Sequence, residues 1–228
     1  MVEKKSFGAD TQILESVKKK RGYVLPYHEL FWCMDPDLLA KYDAFYEQLT
    51  LRTNHLDNKT KELVWLGILI SVFEEAGTIH LRRAREAGVT DDEIQDVIKL
   101  TQIGRGFEVI LFVGEKWQNH LPAIDPLRTY GDLINSVTER TTIPRRLCEL
   151  VLIGIYCAIP IPKALKYHLL HAKECGLRDE EIAEAMSFIF IPRGGNVLIE
   201  AAQVLKDVVK SGEFEPDSIF SYWLDAGK

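Results

Sequence analysis

The chain has 228 residues, 46% of them hydrophobic and 27% charged, a balance typical of a soluble globular protein with one or two buried cores. Its net charge is −6, and its one dense basic run, Lys18 to Arg21, is too short for a nucleic-acid groove, so we expect no nucleic-acid partner. The first ten residues are polar and the longest apolar run, 63–73, is about half of a membrane span, so we predict a cytoplasmic protein with no membrane segment.

Segments of helical period follow one another along the chain, with Gly and Pro between them and almost no strand pattern, which predicts an all-α fold. The predicted helices are 9–20, 36–51, 57–74, 78–87, 91–102, 105–118, 126–139, 144–158, 163–175, 179–190, 194–210 and 217–225. We expect helices to begin after the capping residues Asp35, Asp57 and Thr90, and to end at Gly88 and Gly176.

The N-terminal residues, 1–35, are predicted to form a helical and aromatic extension. Aromatic side chains are concentrated in residues 23–32. This segment could cover a pocket as a lid or pack against the first helix, and we favour packing because aromatic side chains bury large areas.

The rest of the chain contains an internal repeat in which polar residues recur in the same order. The recurring pairs, 87 or 88 positions apart, are Glu62 and Glu149, His80 and His168, and Arg105 and Arg193. We therefore predict a first helical repeat over 36–122 and a second over 123–228, which includes a C-terminal helix.

The recurring Glu, His and Arg are the candidate catalytic residues. Polar groups on apolar helices cost stability unless they are partnered, so Glu62, His80 and Arg105, and likewise Glu149, His168 and Arg193, could converge in a dry pocket. There the pKa values of the carboxyl and imidazole groups would shift, and the guanidinium could anchor an acid. The structural alternative is a buried pair of Glu62 and Arg105, with His80 hydrogen-bonded beside it.

The second repeat differs from the first by a further histidine. His171 stands where the first repeat has Arg83, so His168 and His171 share one helical face. With Glu149 nearby, these two histidines are candidate ligands of one divalent metal ion.

Residues 73–94, preceded by the Lys-Glu-Leu-Val run at 61–64, resemble the carboxymuconolactone decarboxylase family of the alkylhydroperoxidase D-like superfamily. With the second copy, the resemblance covers roughly 36–118 and 126–210. It implies two tandem all-helical repeats packed as one unit and an assembly about a threefold axis, for which we expect a homotrimer or another homo-oligomer. It also implies a pocket lined by the signature histidine, which corresponds to His80 and His168.

The peroxidase branch of this superfamily carries Cys-x-x-Cys at the positions held here by Phe73 and Ala76, and residues 161–164 of the second repeat contain no cysteine either. Thiol-based peroxide reduction needs a reactive thiolate with a resolving partner, so we do not expect a thiol peroxidase.

The resemblance then implies a decarboxylase-like lyase that needs no cofactor and acts on a small carboxylated lactone or keto acid. In this hypothesis His80, His168 or both transfer a proton, the paired glutamate sets the tautomer, and Arg105 or Arg193 anchors the substrate. Two alternatives stay open: a metal-dependent enzyme that uses Glu149, His168 and His171, and a non-catalytic oligomeric scaffold or small-molecule binding protein.

Overall fold

The computed structural model describes residues 11–225, and all regular secondary structure within them is helical, as predicted. The predicted start of the first helix at residue 9 lies outside the described residues. The chain divides between Arg52 and Thr53 into two compact units.

Over its described residues, 11–52, the first unit contains three α-helices, followed by a π-helical turn over Glu47–Leu51. The helices are α1 (Gln12–Arg21), α2 (Pro26–Met34) and α3 (Pro36–Tyr46). The aromatic segment packs inside this unit, since Tyr27 and Phe31 both meet the ring of Tyr42 edge-on, with centroid distances of 5.6 and 5.5 Å. These contacts support packing as the role of that segment.

The second unit contains ten α-helices among the described residues. They are α4 (Asn58–Ser71), α5 (Thr78–Glu86), α6 (Asp91–Arg105), α7 (Phe107–Phe112), α8 (Pro126–Thr138), α9 (Arg145–Ala158), α10 (Pro162–Glu174), α11 (Asp179–Ser187), α12 (Phe190–Lys210) and α13 (Tyr222–Asp225). Short 3-10 or π turns lie at Glu75–Gly77, Val113–Trp117, Gln118–His120 and Ile219–Ser221.

The helix ends follow the predicted capping chemistry. Asp35, Asp57 and Thr90 each accept a hydrogen bond from a backbone amide in the first turn of the helix that follows. Gly88 and Gly176 take positive φ angles of 80° and 73°, the left-handed conformation that ends a helix at low cost.

Helices α4 and α9 form the centre of the second unit and cross at two glycines. A Cβ atom on Gly67 would lie 2.8 Å from Val151, and one on Gly154 would lie 3.0 Å from Val64. The contact is reciprocal: the glycine of each helix faces a valine of the other. The two glycines are 87 positions apart in the sequence, and so are the two valines, Val64 and Val151. A repeated unit would produce this arrangement, and the close approach explains why both helices are buried almost all round.

Within residues 11–225, no single helix has both the length and the apolar character needed to cross a membrane. Helices α11 and α12 taken together are long and apolar enough, but the chain bends by 119° between them.

Candidate active site

The first predicted pair, Glu62 and His80, is formed as expected. Glu62 lies in the second turn of α4 and His80 in the first turn of α5, and His80 Nδ1 lies 2.8 Å from Glu62 Oε2. Because a carboxylate only accepts hydrogen bonds, Nδ1 carries the proton, and in the neutral ring Nε2 has a free lone pair. Burial lowers the pKa of His80, so the neutral ring predominates at neutral pH.

Aromatic rings enclose one side of His80. The indole of Trp65 stacks on the imidazole at a centroid distance of 4.5 Å, and Phe188 stacks on Trp65 at 5.2 Å. Neither Nε2 of His80 nor the buried Nε1–H of Trp65 has a hydrogen-bond partner among the described residues. His80 keeps 7% of its surface exposed, so this site holds an unfilled acceptor and an unfilled donor.

Two cationic side chains also lie near His80. Arg83, one turn further along α5, and the buried Lys61, next to Glu62, both contribute to lowering the pKa of His80. Burial in turn lowers the pKa of Lys61. Lys61, Arg83 and Trp65 are not among the predicted site residues, although their spacing of one residue or one helical turn from Glu62 or His80 could have indicated them.

The second predicted pair, Glu149 and His168, has the same geometry inside a closed network. His168 Nδ1 lies 2.7 Å from Glu149 Oε2, and Arg145 donates to the other carboxylate oxygen at 2.7 Å. The hydroxyl of Tyr130 donates to Nε2 of His168 at 2.7 Å and receives a hydrogen bond from Tyr156 at 2.6 Å. Both imidazole nitrogens are therefore occupied.

Burial and charge hold this network in one protonation state. His168 is completely buried, which lowers its pKa, and burial raises the pKa values of Tyr130 and Tyr156. Burial alone would raise the pKa of Glu149, but His168 and Arg145 beside it bring the net pKa below its usual range. The second pair thus combines a neutral imidazole with an ionised carboxylate and leaves no nitrogen for a substrate.

The candidate metal set of Glu149, His168 and His171, on which the alternative of a metal-dependent enzyme rests, is not assembled in the structure. His171 donates from Nδ1 to the backbone carbonyl of Tyr167 at 2.8 Å and stacks on the ring of Tyr167. With both nitrogens of His168 occupied, these side chains do not face one point, and residues 11–225 contain no group of three His, Cys, Asp or Glu placed to hold a metal ion.

The predicted convergence of arginine with histidine also needs correction. Arg105 and Arg193 line a separate cleft of about 350 Å³, together with Ser71 at the C-terminal end of α4. Glu62 and Ser71 are nine positions apart in α4, which is ~13 Å along a helix axis. Arg105 lies over the ring of Phe73 and forms no ion pair with Glu62, so the alternative of a buried Glu62–Arg105 pair is wrong too.

Comparisons with known proteins agree with this fold. Residues 36–113 match the sequence model of the Carboxymuconolactone decarboxylase family. A crystal structure from Burkholderia xenovorans LB400, of a protein provisionally named a gamma-carboxymuconolactone decarboxylase subunit, superposes with a TM-score of 0.62 at 19% identity. The match covers 90% of this chain and 99% of that one. No curated protein sequence matches the chain. Residues 36–113 are therefore similar in sequence to this family, and 90% of the chain shares the helical fold of that crystal structure.

Proposed function

We propose that the chain is a cofactor-free lyase that removes carbon dioxide from a small carboxylated lactone or keto acid, with proton transfer at His80. The observation that carries this proposal is the open Nε2 of His80, oriented through Nδ1 by Glu62. The equivalent nitrogen of His168 is closed by Tyr130, which favours the first repeat as the working site. The match of residues 36–113 to the family model supports the reaction class.

The residues around His80 suit each step of such a decarboxylation. The bond between the carboxylate carbon and its neighbour breaks, and the electron pair passes into the adjacent carbonyl to give an enolate. Lys61 and Arg83 supply positive charge that stabilises this anion. Nε2 of His80 delivers to carbon a proton taken up from solvent, and Glu62 balances the imidazolium. The net change replaces the carboxylate by hydrogen and releases carbon dioxide.

A thiol peroxidase is the less favoured function. Phe73 and Ala76 hold the positions at which that branch has its two cysteines. Burial raises the pKa of Cys148 to about 11 and also raises the pKa of Cys157, so neither buried thiol forms a reactive thiolate at neutral pH.

The proposal is tested with matched histidine variants. Carbon dioxide release is measured on a panel of carboxylated lactones and β-keto acids. We expect His80→Gln to lose about 10²-fold or more of kcat, since a positioned acid contributes on that order. His168→Gln, the matched control, should keep kcat while its Tm falls.

A third variant tests the role of Glu62. Glu62→Gln removes the charge that stabilises the imidazolium, so we expect a lower kcat and a pH profile displaced to lower pH. Full activity of His80→Gln on a substrate that the wild-type protein decarboxylates would refute the assignment. Saturable binding of such acids without any turnover would instead favour a binding protein.

A further inference from the structure

The cleft that holds Arg105 and Arg193 is built from equivalent positions of the two repeats. Phe73 and Ile161 follow the ends of α4 and α9, and they are 88 positions apart, as are Arg105 and Arg193. Both repeats thus contribute one apolar side chain and one guanidinium to the same cavity. A ligand in this cleft would meet two similar walls, each with its own cation.

The guanidinium groups of Arg105 and Arg193 are not held in ion pairs within the described residues, and Glu108, which also lines the cleft, is bonded to neither. Two cations that face one cavity repel each other and raise its positive potential. Guanidinium is also the side-chain group best suited to grip a carboxylate through two parallel hydrogen bonds.

The backbone of Phe73 is held in a strained conformation at the edge of this cleft. Its φ angle is 58°, in the left-handed region that is unfavourable for a bulky residue. Burial of the ring does not compensate for this cost, because Phe73 is 78% exposed. The conformation sets the ring beneath the guanidinium of Arg105, 5.1 Å from its centre. With Pro160 and Ile161 it provides apolar surface in the same cleft as the two arginines.

From these contacts we propose that the cleft binds a small organic dianion, with one carboxylate at Arg105, the other at Arg193, and an apolar middle against Phe73. This site is distinct from the His80 site and does not depend on the proposed reaction.

The test is calorimetric titration of the purified wild-type chain at low ionic strength with succinate, glutarate, adipate and isophthalate. We expect at least one of them to bind saturably, one per chain, with butyrate and benzoate at least about tenfold weaker because they reach only one arginine. Arg105→Gln and Arg193→Gln should each lower the affinity for the dianion at least about tenfold.

Two controls make the result specific. Arg140→Gln removes the same charge from an exposed position outside the cleft and should leave affinity unchanged. His80→Gln should also bind the dianion normally, so failure of the catalytic proposal would not affect this result. Three outcomes would each overturn the inference: no saturable binding of any dianion, equal affinity for the monoanions, or unchanged affinity in both arginine variants of the cleft.

Discussion

At the scale of single residues, two pairs with nearly the same geometry differ in what reaches the second nitrogen of the imidazole. Glu62–His80 and Glu149–His168 have Nδ1–Oε2 distances of 2.8 and 2.7 Å. In the second pair, Tyr130 reaches Nε2 from α8 and removes the lone pair that remains open in the first. The carboxylate thus sets the tautomer in both repeats, while the third partner decides whether the ring is available to a ligand.

Removal of that hydroxyl should cost stability. Tyr130→Phe leaves Nε2 of the buried His168 and the hydroxyl of Tyr156 without their present partner, at a cost of about 1–3 kcal/mol. We expect a clearly lower Tm by differential scanning calorimetry. Tyr222→Phe, at a 71% exposed position, is the matched control and should leave Tm unchanged. Equal Tm values for the two variants would contradict the structural role of the network.

At the scale of elements, the crossing of α4 and α9 determines where both glutamates lie. Gly67 and Gly154 let the two helix backbones approach closely, each against the β-branched side chains of the other helix. Glu62 and Glu149 precede these glycines by five positions in their respective helices, so the crossing holds the two carboxylates in equivalent places.

Alanine at this crossing should destabilise the protein although it favours helix formation. The new Cβ of Gly67→Ala would lie 2.8 Å from Cγ1 of Val151, a stiff side chain, and the overpacking should cost about 1–3 kcal/mol. Gly195→Ala, directly after the break in α12 at Gly194, meets only an ordinary contact of 3.5 Å with Phe190 and should leave Tm nearly unchanged. Chemical denaturation of both variants measures the difference; a Gly67→Ala chain as stable as Gly195→Ala would show that α4 and α9 can separate at little cost.

At the scale of the whole molecule, buried histidines make stability depend on pH. Burial, with Arg21 beside it, lowers the pKa of His28 from 6.5 to about 4, and burial also lowers the pKa values of His80 and His168. Between the folded and unfolded pKa values the unfolded chain binds more protons, so stability falls as pH falls below about 6.5.

For His28 alone, the loss is on the order of 3 kcal/mol as the pH approaches 4. We expect Tm to decrease from pH 7 to pH 5, with a smaller decrease in His28→Gln. His120→Gln, at an exposed position, should keep the wild-type slope. A Tm that rises on acidification through pH 6.5 would contradict the neutral buried state of these rings.

We also propose that the chain assembles as a homotrimer, the arrangement expected from its family resemblance. Exposed apolar side chains, among them Val109, Phe112 and Trp117, support an interface with another copy. Three chains of 26.0 kDa have a mass of about 78 kDa, which light scattering at micromolar concentration would measure. A concentration-independent mass of one chain would refute the proposal.

The sequence by itself determined the features of this protein that depend on neighbouring residues. Asp57 and Thr90 begin helices and Gly88 ends one because capping bonds and a left-handed residue act within a single turn. The pairing of Glu62 with His80 followed from the repeat, since a polar residue on each of two buried helices needs a partner nearby. The separate helix α2 was not predicted although its start is local as well, with Pro26 in the first turn and the backbone amide of Leu25 bound by His28.

Only the tertiary structure decided which site is open and where the arginines lie. Tyr130 closes His168 from 38 positions away, and no local pattern indicates which side chain of another helix will reach an imidazole nitrogen. Arg105 and Arg193 keep their equivalence in the repeat but share a cleft at the far end of α4 and α9, since their positions depend on how whole helices pack. Spacing along the chain predicts partners within a helix or a repeat. Whether a ligand can reach a histidine, and whether arginine side chains meet in one cleft, depends on packing between elements distant in sequence.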